Sequence, residues 1–117
     1  MCAGGWAEVV QVSLADVDLG FAGRTPPRHS IHRAIESLEF GEALELVNEG
    51  HRLELRTQRG KIVVGRLARE FSPPAGQVVA VSVDALVRRY KEQSAPQYVH
   101  LCKSDRWWVV LATITMR

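Results

Sequence analysis

The residues of this 117-residue chain with the most chemistry in them are four histidines and two cysteines. His29 and His32 flank Ser30-Ile31, and His100 stands one residue short of Cys102. A tetrahedral zinc site needs about four soft ligands in convergent geometry. No Cys-x-x-Cys pair and no His-Glu-x-x-His helix supplies them, so no metal is expected. Cys102 and His100 could form a nucleophile–base pair. On the strand expected there, however, alternate residues point the same way but stand too far apart for a routine hydrogen bond. A Gly-x-Ser-x-Gly elbow, a Walker phosphate loop and a Gly-x-Gly-x-x-Gly fingerprint are all missing from the sequence. The chain is therefore expected to have no catalytic residues and no cofactor.

The cations carry a different chemistry. Fifteen Lys and Arg against thirteen Asp and Glu give a formal charge of +2, which permits a polyanionic partner without requiring one. Their placement is more informative. Arg66, Arg69, Arg88, Arg89, Lys91, Lys103 and Arg106 fall in the second half, interleaved with Phe71, Tyr90, Tyr98 and the Trp107-Trp108 pair. Phosphates call for cations on one face, and unpaired bases call for exposed aromatic planes beside them. Candidate nucleic-acid contacts are Arg66, Arg69, Phe71, Arg88, Arg89, Lys91, Tyr98, Lys103 and Arg106. The competing reading puts the cations on solvated outer strand faces and the aromatics in the core.

The elements that must position these residues are mostly strands. Trp6 to Leu14 alternates apolar and polar residues, the period of a half-buried strand. Ala15 to Arg28, with Gly20, Gly23 and Pro26-Pro27, reads as an extended loop. Ser30 is the expected N-cap of one short helix with Ile31, Ile35 and Leu38 on its apolar stripe and Gly41 at its stop. Such a helix is marginal alone and is expected to plug one end of a barrel.

Beyond it, Leu44 to Leu46 and Leu53 to Leu55 form a hairpin across the link Asn48-Glu49-Gly50-His51. A turn at Gln58-Arg59-Gly60 leads into a strand from Lys61 to Val64, with a bulge or bend at Gly65. Phe71 to Gly76 is a rigid loop. Gln77 to about Arg89 reads as a long strand with Val79, Val81, Val83, Ala85 and Val87 on its inner face, in competition with a helix from Asp84 to Lys91. After the linker Gln93 to Pro96, a short strand is expected from Tyr98 to Cys102. Arg106 to Thr115 follows as a strand buried on both faces, Trp107, Val109 and Leu111 on one and Trp108, Val110 and Ile114 on the other.

The expected architecture is mostly β: a small antiparallel barrel of about six strands with one short helix, closed or nearly closed because closure removes exposed edges. Residues 1–28 are an N-terminal strand and Gly/Pro loop attached to, or part of, a barrel over residues 29–117. The apolar share is 46 % and the charged share 24 %, an ordinary globular balance. No apolar run reaches the roughly 18 residues of a membrane span. No secretory leader is recognisable, and Cys2 and Cys102 are read as free thiols in a reducing cytoplasm.

Four stretches together resemble the extreme C-terminal region of a bacterial subgroup of RecQ-family DNA helicases. They are Ile31-His32-Arg33-Ala34-Ile35, Val64 to Gly76 (Val-Gly-Arg-Leu-Ala-Arg-Glu-Phe-Ser-Pro-Pro-Ala-Gly), Ser94-Ala95-Pro96-Gln97-Tyr98 and Asp105-Arg106-Trp107-Trp108-Val109-Val110. The tail from Leu111 to Arg117 departs from the acidic, proline-bearing ending of that group. Gly41 to Arg69 is also similar to the HIRAN domain, a small β-barrel of chromatin and repair helicases, although the Asp-Asn-Pro-type insertion of that family is replaced by the short Asn48 to His51 link. The resemblance implies a non-catalytic accessory domain for DNA repair that positions single-stranded or junction DNA beside a helicase motor, in cis or in trans. The alternative is a protein-interaction barrel that docks a helicase or replication partner, with Phe71 to Gly76 as its docking edge.

Overall fold

A computed structural model describes residues 7–117; Cys2 and Trp6 lie outside the described residues. The described residues form six strands and one α-helix: β1 (Glu8–Gln11), α1 (Ser30–Glu36), β2 (Leu44–Glu49), β3 (Arg52–Thr57), β4 (Val63–Arg66), β5 (Val78–Tyr90) and β6 (Arg106–Met116). They form two antiparallel three-stranded sheets, ordered β1-β6-β5 and β2-β3-β4. One isolated bridge pairs Ala43, just before β2, with Ser82 of β5, and another pairs Val17 of the loop after β1 with Leu67, just after β4; the two sheets do not close into the expected barrel. The chain is thus mostly β and antiparallel, as its alternating patterns imply. No helix among the described residues is long and apolar enough to cross a membrane.

The β2–β3 hairpin follows its leucines. Leu46 pairs with Leu55, and Leu55 is completely buried. The link is tighter than the expected Asn48–His51 segment, because pairing continues to Glu49–Arg52 and Gly50 takes the left-handed region at φ +64°. β4 starts at Val63 rather than Lys61, since Lys61 itself turns the chain at φ +55°. The bulge expected near Gly65 is present: Leu55 faces Gly65 while Arg56 faces Val63, leaving Val64 as the extra residue.

The long strand forms in place of the helix that Asp84 to Lys91 could have made. Its inner face is not the continuous one the alternation suggested. The register shifts between Val78 and Ala80 and again between Val83 and Ala85, so Val81 and Val83 are buried, Val79 is 44 % exposed and Ala85 and Val87 are half-buried. Each bulge reverses which side the next residues face. In β6 both faces do contribute to the core, with Trp107 and Val109 on one and Val110, Ala112 and Ile114 on the other. Trp108 and Leu111 are only half-buried.

Helix α1 is shorter than expected. His29, not Ser30, is the N-cap, its Nδ1 accepting from the Ile31 N–H at 3.1 Å, and Ser37 closes the C-terminus well before Gly41. Ile31, Ile35 and then Leu38 bury the stripe against β6 and β4. Gly41 serves a different turn at φ +82°, where its N–H donates to Val83 O at 2.8 Å. The strand expected at Tyr98–Cys102 is instead a 3-10 helix over Pro96–Leu101. Pro96 sits at its first turn, where its fixed φ suits a helix and its missing N–H costs nothing.

The segment between β1 and α1 packs into the same core through Val12, Val17 and Ala22. Gly23 lies flat on Trp107, and a Cβ there would stand 2.6 Å from the ring. Trp107 Nε1 donates to Leu19 O at 2.8 Å, and the Ser104 and Lys103 amides donate to Gly23 O. These bonds clamp the loop onto the start of β6.

Candidate functional site

Arg88 and Arg89 are consecutive in β5 and therefore point to opposite faces. Each contributes to a different concavity, so the nine predicted contact residues do not form one patch.

On the Arg89 side lies a cleft of about 790 Å³. Its first wall is made where Val17 bridges Leu67: the Asp18 N–H donates to Arg66 O at 2.8 Å, which sets the two side chains next to each other. Arg66 Nε and Nη2 donate to Asp18 Oδ2 at 3.3 and 3.0 Å. Arg24 binds both carboxylate oxygens, and Arg52 Nη2 approaches Oδ2 at 3.6 Å while donating to Leu67 O. Arg66 also lies over the Phe21 ring, 5.5 Å from its centroid. Arg69 and Arg89 complete the cationic lining, and Glu70 is the second carboxylate. Five arginines against two carboxylates leave a formal excess of three positive charges.

The electrostatics of the cleft reflect this crowding. Burial pushes the Asp18 carboxyl up, but the hydrogen bonds and charges of Arg24 and Arg66 outweigh it and hold the group below its ordinary value. Arg52 is drawn below the usual guanidinium range by burial and then by the charge of Arg66, with Arg69 and Arg24 adding to it and Asp18 opposing. Among the described residues, the buried side-chain polar atoms without a hydrogen-bond partner are the Nε atoms of Arg52 and Arg89, and both arginines line this cleft. The opposite rim is the 3-10 helix, which presents Tyr98 at 57 % and Leu101 at 43 % exposure. Cys102 follows it, half-buried, its Sγ 3.5 Å from Ser94 Oγ. The strand geometry that argued against a Cys102–His100 pair does not apply, because neither residue is in a strand.

On the Arg88 side is a smaller pocket of about 290 Å³. Trp108 is cross-strand from Arg88, and the guanidinium lies over the indole, 4.0 Å from its centroid. Helix α1 supplies His32 and Glu36, the turn before β6 supplies Asp105, and Arg106 is the first residue of β6. His32 is held by Thr25, with Nε2 2.9 Å from its hydroxyl.

Of the predicted contacts, the structure brings Arg66, Arg69, Arg89 and Tyr98 together in the cleft, and places Arg88 and Arg106 in the pocket. Phe71 is half-buried and packs on the core. Lys91 and Lys103 sit on the connection between β5 and β6, their amides bonded to Asp105 O and Gly23 O. Sequence reasoning missed Asp18, Arg24 and Arg52. Asp18 and Arg24 belong to a loop without periodicity, and Arg52 looked like any outward hairpin residue. Among the described residues, no three His, Cys, Asp or Glu side chains gather in a metal-binding arrangement. No protein-family model, curated protein or solved structure matches the chain.

Proposed function

We propose that this chain is a non-catalytic DNA-binding accessory domain that holds single-stranded or junction DNA for a helicase motor. The observation that carries the reading is the cleft, where five arginines outnumber two carboxylates and an exposed tyrosine stands on the rim. A phosphodiester backbone in the cleft would meet Arg69 and Arg89, neither of which pairs with a carboxylate among the described residues. Tyr98 offers a base a stacking plane. The domain neutralises phosphates and releases counterions, while ATP hydrolysis belongs to a motor elsewhere. The resemblance to RecQ C-terminal regions and HIRAN domains supports the same reading, which would place the chain in the cytoplasm beside DNA. The two sheets are read as parts of one small antiparallel barrel, supported by the bridge between Ala43 and Ser82 that links the start of β2 to β5.

The competing reading is a barrel that docks an acidic protein segment, favoured by the exposure of Leu101 beside Tyr98. Fluorescence anisotropy with an oligothymidylate at two salt concentrations separates them. Binding should weaken steeply with salt, by a log–log slope of about 0.7 per phosphate contact on single strands. Arg69→Ala and Arg89→Ala should each weaken it and flatten that slope. No binding at low salt leaves the docking reading in its place.

A further inference from the structure

The Arg88–Trp108 pocket differs from the cleft in every property that selects a ligand. Its charges balance, with Arg88 and Arg106 against Glu36 and Asp105. None of these four makes a salt bridge among the described residues, although all of them line one cavity. At about 290 Å³ it is much smaller than the cleft of about 790 Å³. It lies near the lower limit of small-molecule sites, which begin at about 300 Å³. Its aromatic element is a half-buried indole already stacked with a guanidinium, and such a planar platform accepts a further ring.

A phosphate gains little in a site of zero net charge, and an aliphatic ligand makes no use of its four charged groups. A planar ring whose edges carry both donors and acceptors satisfies all of them. Guanine fits this best among the bases. Its O6 and N7 accept from an arginine fork, and its N1–H and N2–H donate as a pair to a carboxylate. We infer that the pocket formed by Arg88, Trp108, Glu36, Asp105 and Arg106 binds one unpaired guanine base, stacked on the Arg88–Trp108 platform. Arg106 meets the acceptor edge, and Asp105 or Glu36 meets the donor edge.

The inference is independent of the cleft and is tested without phosphate. The full chain is titrated with guanosine, adenosine, cytidine and thymidine while the Trp108 indole N–H is followed by NMR. Guanosine should shift that resonance with an affinity at least about tenfold above cytidine and thymidine, the effect of one good bidentate edge contact. Asp105→Asn and Glu36→Gln both change exposed residues, so the fold should survive, and at least one of them should remove most of the preference. Equal response to all four nucleosides, or none to guanosine, overturns the inference. Because nucleosides carry no phosphate and oligothymidylate carries no guanine, the two ligands fail separately. Loss of guanosine binding with salt-sensitive oligothymidylate binding intact refutes the pocket alone, and the reverse refutes the cleft alone.

Discussion

The arginine cleft and the Arg88–Trp108 pocket take consecutive residues of β5, Arg89 and Arg88, which point to opposite faces, and the two regions are stabilised by different physics. The cleft is organised around a charge. Asp18, only 12 % exposed, holds three guanidinium groups that would otherwise repel each other, and the backbone bridge at Val17–Leu67 fixes it in place. The pocket is organised around a stacked pair whose members are cross-strand neighbours in β5 and β6. One region therefore depends on long-range electrostatics and the other on local strand register. Concentrated like charge raises the positive potential of the cleft but makes its own scaffold fragile. A neutral aromatic pair puts no such load on its surroundings.

Removing Asp18 should break this contrast most severely. A buried pair that loses one partner costs about 3–5 kcal/mol, and the partial exposure of these arginines lowers the expectation to about 2–3 kcal/mol. Urea denaturation of Asp18→Ala measures it, and Arg88→Ala should fall well short of that loss. The same carboxylate makes the cleft acid-sensitive. Its folded-state pKa lies below the ordinary 3.8, so the unfolded chain binds the proton more tightly. Its contribution is complete above about pH 4 and disappears as the pH falls through the folded value. An Asp18→Asn variant should lose that part of the acid dependence, whereas an unchanged profile would show that other carboxylates carry it.

Gly23→Ala should come next, because it strikes the element shared by both regions. The new methyl would stand 2.6 Å from the Trp107 ring, and overpacking of this kind costs about 1–3 kcal/mol. A variant as stable as the parent in thermal unfolding would mean that the 18–25 loop can lift from β6 freely. Arg88→Ala should remove about 1 kcal/mol, the worth of a cation–π contact between two half-buried side chains, and leave the acid profile of the cleft unchanged. Arg69→Ala should have the smallest effect on stability, within about 0.5 kcal/mol for an exposed residue free of salt bridges. It should nevertheless reduce oligothymidylate affinity, which separates a binding residue from a structural one.

The leucine alternation of β2 and β3, the β-branched run of β5 and the apolar stripe of α1 were legible in the sequence, because each reports a local period. The bulges in β5 were not, and they decide which valines are buried. The 3-10 helix at Pro96–Leu101 was misread as a strand although Pro96 was in view, since a short apolar run fits either structure. In the candidate site, Arg66, Arg69, Arg89 and Tyr98 were among the nine residues named, and the structure places these four along one cleft. Arg88 and Arg106 were placed on the same surface and in fact belong to the other one.

The sequence by itself determined that the chain is mostly antiparallel β and that its cations outnumber its acids only slightly. Local patterning and composition require no knowledge of distant contacts. Tertiary structure alone decided where that small excess is concentrated. Arg24, Arg52 and Arg66 come from a loop and two strands, and only the pairing of Val17 with Leu67 brings them to one carboxylate. Interactions between charges depend on distance in space, and chain order carries no measure of that distance until the sheets have formed.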